Sequence, residues 1–183
     1  MMEVKKFIVL LVIVSFGILQ LNAQPEDLSA RKLGIGFNIS QIQKDFGVGV
    51  HFISPYFAKS TVAIRAGGNF QWFEHIDEES EMTWTPYNNL QFGIRARQAV
   101  VENKVFVYGE GGSMVVFPNS DFSSESTEFG GYGLFGFEFK PIPNFGFFVE
   151  FGGVGLGAKA DEIGGNPIYS NGFLNQVGLR FNP

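Results

Sequence analysis

Alternation between large apolar residues and small or polar residues is the feature that most constrains the fold of this chain. The 183 residues include 22 Phe and 24 Gly, and the two types recur in short runs of period two, as in Phe145 to Gly155. Successive side chains of a β-strand point to opposite faces, so this period indicates strands and not helices. Glycine-rich, aromatic strands are typical of closed antiparallel sheets. The pattern therefore predicts an all-β protein.

Eight segments follow this pattern, each with one apolar, aromatic face and one face of Gly, Asn, Gln, Arg and Glu. In the sixth segment, for example, Phe135 and Phe137 oppose Gly136 and Glu138. The predicted strands are Lys32 to Asn38, Phe46 to Phe52, Thr61 to Trp72, Asn89 to Ala99, Val105 to Phe117, Phe129 to Lys140, Phe145 to Gly155 and Gly172 to Phe181. Eight such strands favour an up-and-down antiparallel barrel.

The fifth strand carries small residues on its apolar face. With Glu110 on the polar face, its opposite face holds Gly109, Gly111 and Ser113 among valines. Small residues inside a strand suggest a bulge or a small-residue patch near this glycine pair.

The first residues predict export from the cytoplasm. Lys5 and Lys6 precede an apolar run from Phe7 to Leu19, and Ala23 places a small residue before Gln24. This order is that of a cleavable secretory signal peptide. The apolar run is short for a membrane-spanning helix of ~20 residues, so a retained anchor is the weaker alternative. We therefore expect a signal peptide over residues 1–23 and a barrel domain over residues 24–183.

Composition excludes several classes of function. The chain has 13 Lys and Arg against 18 Asp and Glu and a net charge of −5, so we expect no nucleic-acid partner. It has no Cys, which excludes a disulfide scaffold, a thiolate metal site and a Cys nucleophile. The length is that of one domain, which is large enough to bury a core without disulfide bonds.

Alternation alone does not distinguish a soluble barrel, with its apolar face inward, from a membrane barrel, with that face outward. The polar face here is poor in Lys, Thr and Ser and rich in Gly with balanced Arg and Glu, which suits a narrow interior filled by ion pairs. Aromatic residues also cluster at strand ends, as interfacial girdles do. The predicted rims are Phe70, Trp72, Phe73, Trp84 and Tyr87 at one end and Tyr56, Phe57, Phe139, Phe145 and Phe181 at the other.

The connections alternate between long and short, with one early exception near Gln41 to Asp45. The long, polar segments are Glu74 to Pro86, Pro118 to Thr127 and Ala158 to Asn171, and the short ones are Ser54 to Ser60, Val101 to Lys104 and Pro141 to Asn144. Outer-membrane barrels have short periplasmic turns and longer external loops. The long segments are therefore predicted to face outside the cell.

Charged residues on the polar strand faces form the main candidate site. They are Arg65, Arg95, Arg97 and Arg180 with Glu110, Glu138 and Glu150. If Glu102-Asn103 centres the turn after the fourth strand, Arg95 lies opposite Glu110, with Cβ atoms about 5 Å apart. A narrow barrel interior is filled by its own side chains, so these charges must neutralise one another. We expect a structural ion-pair network, with a proton or ion path and catalysis as alternatives.

The two histidines are the other chemical candidates. His51 is predicted to point inward, and His75 lies in the acidic segment Glu74 to Glu81. A lipid-hydrolase site with a His, Ser and acid arrangement would need a serine near His75. Asp77 lies two residues after His75 instead, so such a site is a weak alternative. The acidic segment could bind Ca²⁺, but it lacks the ligand and glycine spacing of an EF-hand loop. We therefore predict no cofactor, no metal and no catalytic residue.

The eight Gly/Phe strands and three short segments carry a family resemblance. The signal end Leu21-Asn22-Ala23-Gln24, the run Val107 to Gly112 and the closing Gln176 to Phe181 resemble the small OmpA/OmpX-type, porin-family-like outer-membrane β-barrels. The resemblance implies an eight-stranded antiparallel up-and-down transmembrane β-barrel in the outer membrane of a Gram-negative cell. It also implies a monomer that contacts outer-membrane lipid and is inserted by the barrel-assembly machinery. Members of that family end on an aromatic residue, whereas Asn182 and Pro183 follow Phe181 here.

The expected function is a non-enzymatic integral outer-membrane barrel without an open pore. Such a protein contributes envelope structure or surface contacts through its external loops. The alternatives are a lipid-modifying outer-membrane barrel enzyme and a secreted, soluble, lipocalin-like carrier of a small hydrophobic ligand. Fold does not decide among these functions, and the sequence names no surface partner or transported solute.

Overall fold

The computed structural model describes residues 28–76, 81–101 and 104–183, which form one closed antiparallel barrel. Neighbouring strands pair in sequence order, and the last strand pairs with the first. A 3₁₀ turn at Leu28–Arg31 precedes the strands. The strands are β1 Gly34–Ile42, β2 Asp45–Ile53, β3 Val62–Ile76, β4 Met82–Val101, β5 Val105–Phe117, β6 Glu128–Ile142, β7 Phe145–Gly155 and β8 Gly172–Phe181.

The predicted eight-stranded up-and-down barrel is confirmed. Strands β5, β7 and β8 begin and end at the predicted residues. The predicted signal peptide over residues 1–23 and the turn centre Glu102-Asn103 lie outside the described residues. In the part of the chain that the structure describes, no helix is long and apolar enough to cross a membrane.

The β3–β4 hairpin is longer than predicted. Its ladder pairs Glu74 with Trp84 and Ile76 with Met82, so most of the segment predicted as a long loop from Glu74 to Pro86 is strand. Polar residues in this segment obscured the alternation in the sequence. The two ends of the barrel are named here by their connections: the loop end has segments 77–81, 118–127 and 156–171, and the turn end has segments 54–61, 102–104 and 143–144.

The barrel has its apolar face outside and its charged face inside. Phe37, Phe92 and Phe137 are 52%, 57% and 45% exposed, whereas Arg65 and Arg95 are at most 1% exposed. This is the inverse of a soluble barrel and the arrangement of a transmembrane one. The apolar strand faces, which a membrane barrel turns toward lipid, lie outside, and their residues include Val62, Ile64, Phe92, Ile94, Phe135, Phe137, Val149 and Val177.

Three aromatic residues assigned to a membrane rim point to the inside of the barrel instead: Phe73 and Tyr87 at one end, and Tyr56, whose ring packs on the inward-pointing Arg97, at the other. Phe73 and Tyr87 are 4% and 2% exposed. On β3, Arg65 and Gln71 point inward, and Phe73 has the same parity, so its ring also points inward. Tyr87 pairs directly with Gln71 and therefore lies on the same face. The rim prediction is wrong for these residues, and for Phe73 and Tyr87 the reason is that strand parity decides which face a side chain occupies, whereas proximity to a strand end does not.

The stretch of β5 from Gly109 to Ser113 is a small-residue patch without a bulge. Gly109, Gly111 and Ser113 lie on the outer face, and β5 pairs with β6 without a register shift from Val105 to Val116. The ladder between β4 and β5 shifts only beside the turn, between Ala99 and Val101.

We predict that Phe137→Arg destabilises the membrane-inserted protein by about 2 to 4 kcal/mol, because it places a charge on the lipid face in the middle of β6. Phe129→Arg is the matched control on the same strand and face, near the loop end, where the cost is about 0 to 1 kcal/mol. Both effects are measured as changes in the free energy of unfolding in lipid vesicles. Equal effects at the two positions would contradict the assignment of the outer face to hydrocarbon.

Candidate functional site

The centre of the lumen is organised around the Glu110 carboxylate. Strand pairing places Glu110 directly opposite Arg95, whose Nε donates to Glu110 Oε2 at 2.7 Å. Arg65 Nη1 donates to the other oxygen at 2.8 Å, and the Tyr132 hydroxyl donates to that same oxygen at 2.8 Å. One buried carboxylate thus accepts hydrogen bonds from two guanidinium groups and one phenol. Such charge-assisted bonds are the strong class of hydrogen bond.

Glu150 is the second carboxylate of this layer. Its Oε1 accepts hydrogen bonds from Arg95 Nη2 and from the Tyr108 hydroxyl, each at 2.7 Å. Arg65 Nη2 lies 3.8 Å from Glu150 Oε2, and Arg180 Nη2 lies 3.7 Å from Oε1. Arg95 therefore bridges the two central carboxylates.

Glu138 forms a neighbouring ion pair with Arg180, with Nη1 and Oε2 2.8 Å apart. Six of the seven predicted interior charges thus lie in one connected cluster across β3 to β8. We call this the ion-pair layer: Arg65, Arg95, Arg180, Glu110, Glu138 and Glu150.

Arg97, the seventh predicted residue, lies nearer the turn end. Its guanidinium carbon is 3.7 Å from the centre of the Tyr56 ring and 4.5 Å from that of Phe106. Its Nε donates to the Ser60 carbonyl oxygen at 3.2 Å. Lys140 Nζ lies 5.1 Å from the centre of the Phe106 ring. Cations and aromatic rings therefore close the lumen at this end, which sequence analysis did not predict.

His51 points inward, as expected, and lies between two arginines. Its Nε2 is 3.3 Å from Arg180 Nη2, and its Nδ1 is 3.4 Å from Asn38 Oδ1 and 3.3 Å from Arg65 Nη2. A neutral imidazole has one donor and one acceptor nitrogen. The partners fit a ring that accepts from Arg180 at Nε2 and donates to Asn38 from Nδ1.

An amide ladder continues from His51 toward the loop end. Asn38 Nδ2 donates to Asn69 Oδ1 at 3.0 Å, and Asn69 Nδ2 donates to Asn89 Oδ1 at 2.9 Å. Gln71 Nε2 donates to Ser40 Oγ at 2.8 Å nearby. Amide and hydroxyl side chains therefore line the lumen between the ion-pair layer and the loop end.

Four aromatic rings close the loop end, and we call them the aromatic cap: Phe73, Tyr87, Phe122 and Tyr169. Neighbouring ring centres are 4.9 to 6.2 Å apart. Asp45 Oδ2 lies beneath them and accepts hydrogen bonds from the Tyr87 hydroxyl at 2.7 Å and the Ser170 amide at 3.0 Å. The cap was not predicted from the sequence, although a large aromatic residue inside a polar loop, as at Phe122, is a usable signal.

The two long loops at this end bind each other. The Ser124 amide donates to Asp161 Oδ1 at 2.8 Å, and the Ser124 hydroxyl donates to Asp161 Oδ2. These hydrogen bonds hold the pKa of Asp161 below its usual range, because they favour the charged carboxylate. The Glu162 amide also donates to the Phe122 carbonyl oxygen at 3.2 Å. In the second of these loops, burial raises the pKa of Tyr169 to about 12.

His75 lies at the loop end of β3, with its ring stacked on Phe73 at 5.2 Å and its Nδ1 3.4 Å from the Phe73 carbonyl oxygen. Residues 77–80 of the acidic segment lie outside the described part, so the Ca²⁺ alternative stays untested. Within the described ranges, no group of three His, Asp or Glu residues could hold a metal ion.

A solved outer-membrane protein shares this fold. OprG from Pseudomonas aeruginosa aligns with a TM-score of 0.56 at 11% identity, over 85% of this chain and 98% of its own. Ail from Yersinia pestis, in complex with the heparin analogue sucrose octasulfate, aligns with a TM-score of 0.47 at 16% identity, over 82% of this chain and 97% of its own. No protein-family model and no curated protein sequence matches the chain. The likeness to OprG supports the barrel fold.

We predict that Glu110→Ala lowers the free energy of unfolding by about 3 to 5 kcal/mol, because it removes one of the two carboxylates that balance the buried guanidinium groups of Arg65 and Arg95. Replacing both Arg95 and Glu110 with Met should restore much of this loss, since the remaining charges stay balanced. The measurement is a double-mutant cycle by denaturant unfolding in lipid vesicles.

The matched control for this cycle is Glu125→Ala in an exposed loop, which should change the free energy of unfolding by less than about 0.5 kcal/mol. A coupling energy of zero between positions 95 and 110 would contradict the prediction.

Proposed function

We propose that this protein is a non-enzymatic integral outer-membrane β-barrel with a closed lumen, which contributes envelope structure or surface contacts through its loops at the loop end. One observation supports this proposal above the others. The lumen is filled along its length by cation–π contacts at the turn end, the ion-pair layer in the middle and the aromatic cap at the loop end.

Membrane insertion is supported by the outer surface. Large apolar side chains cover it, including Phe92 and Ile94 at 57% and 60% exposed. Trp84 at the loop end and Phe57 at the turn end are 45% and 51% exposed, as in interfacial girdles. The fold shared with OprG and the signal peptide expected from the sequence both favour the outer membrane. We propose a monomer that contacts outer-membrane lipid and is inserted by the barrel-assembly machinery.

Closure follows from the size of the barrel. Eight strands enclose a space just wide enough for side chains, and here Arg65, Arg95 and Arg180 are among the largest fully buried side chains. Each holds a glutamate within 2.8 Å. An ion would have to separate these pairs to pass, so the ion-pair layer opposes conduction.

The two alternative functions have less support. A carrier of hydrophobic ligands needs an apolar interior, and the centre of this lumen is charged. A hydrolase of the histidine–serine type needs a hydroxyl nucleophile beside its base, whereas the described partners of His51 are Asn38, Arg65 and Arg180. His75 contacts Phe73.

Cell fractionation and gel migration test membrane insertion. We expect the protein in the outer-membrane fraction, with a band on SDS gels that shifts after boiling, because a folded barrel resists the detergent. Protease added to intact cells should cleave near Glu125 or Gly164 at the loop end and spare Lys59 and Lys104 at the turn end. Recovery in the aqueous fraction would favour the soluble carrier, and the reverse cleavage pattern would invert the proposed orientation.

Planar-bilayer recording tests the closed lumen. We predict no steady nanosiemens-scale conductance from the wild-type protein, and none from Phe122→Ala, because removing one ring of the aromatic cap leaves the ion-pair layer in place. Exposed Phe129→Ala is the control for a lost aromatic side chain at the same end. Steady conductance from the wild-type protein would contradict a closed lumen, and conductance from Phe122→Ala alone would identify the cap as the barrier.

A further inference from the structure

The two ends of the barrel differ in the sign of their exposed charge. Besides Arg97 and Lys140 in the lumen, four basic residues lie at the turn end among those described, and we call them the basic rim: Arg31, Lys32, Lys59 and Lys104. Lys59 and Lys104 are exposed, and no Asp or Glu side chain is exposed among the described residues of this end. The loop end instead exposes Glu81, Asp121, Glu125, Asp161 and Glu162, with Lys44 and Lys159 as its lysines.

The turn that presents Lys59 has a costly backbone conformation. Ala58, Lys59 and Ser60 have φ values of 49°, 59° and 63°, in the left-handed region that non-glycine residues rarely adopt. Arg97 holds this turn in place, because its Nε donates to the Ser60 carbonyl oxygen at 3.2 Å and its backbone amide donates to the Thr61 oxygen at 2.8 Å. Strained segments that the surroundings hold in place concentrate at functional sites.

The same turn exposes an aromatic ring beside its charge. Phe57 is 51% exposed and lies two residues from Lys59. Phe145 and Phe181, with ring centres 4.9 Å apart, form a pair of aromatic rings at the same end. Aromatic side chains at a membrane boundary lie at the level of the lipid headgroups. An adjacent lysine then reaches the phosphates.

We propose that the basic rim binds the headgroups of anionic phospholipids in the leaflet that faces the periplasm. The inference rests on the proposed function, because it takes the turn end to be periplasmic. Basic residues near a bilayer surface attract anionic lipids over about one Debye length. The exposed Lys59 and Lys104 of this rim, together with its exposed rings, favour an anionic membrane surface as the partner.

Lipid retention in nanodiscs tests the proposal. The wild-type protein is reconstituted in phosphatidylcholine with phosphatidylglycerol, and co-purified phosphatidylglycerol is counted by native mass spectrometry. The variant Lys59→Gln with Lys104→Gln should retain phosphatidylglycerol on the order of tenfold less well. The matched control, Lys44→Gln with Lys159→Gln, removes two lysines from the loop end and should retain it as the wild type does.

A third variant separates charge from folding of the strained turn. Lys59→Arg keeps the charge and should keep the bound lipid. Equal retention by the wild type and the Lys59/Lys104 variant would overturn the proposal, as would an equal loss from the loop-end control. Failure of the proposed function gives a different result from failure of lipid binding. In that case the wild-type protein itself gives no heat-shifted band on SDS gels, in phosphatidylcholine or in phosphatidylglycerol.

Discussion

The matching of buried charge inside a narrow barrel is the constraint on which the rest of this structure depends. An unpaired guanidinium in the lumen would cost several kcal/mol, yet three arginines lie there at 2% exposure or less. They are tolerated because Glu110, Glu138 and Glu150 come from β5, β6 and β7, while the arginines come from β3, β4 and β8. A shift of one residue in any ladder would turn a charge toward lipid. The ion-pair layer therefore specifies strand register as well as filling space.

Glycine makes room for these long side chains. A Cβ atom built on inward-facing Gly136 would overlap the ring of Tyr108, and one built on Gly36 would overlap the ring of His51. Tyr108 donates to Glu150 and His51 contacts two arginines, so each of these glycines makes space for a ring of the polar network. This is a packing reason for part of the high glycine content.

Strand parity made most of the fold predictable. Alternation identified all eight strands and their apolar faces, and the turn centre assumed at Glu102-Asn103 gave the pairing of Arg95 with Glu110. Contacts that depend on irregular segments were not predictable in this way. Arg97 has the same parity as Arg95, but the left-handed turn at Ala58 to Ser60 brings a carbonyl and the Tyr56 ring to it. The aromatic cap likewise needs Phe122 from a loop whose path no periodic pattern describes.

A filled lumen moves the question of function to the two ends of the barrel. The ends differ in construction: two long loops hydrogen-bonded to each other cover the acidic end, and short turns form the basic end. Arg97 belongs both to the closure of the lumen and to the turn that presents Lys59, so the interior charges also shape a surface. Because those charges fix the register, they fix the height at which each rim meets the membrane. The lumen thus acts as a scaffold, and contacts with molecules outside the barrel are made at its two rims.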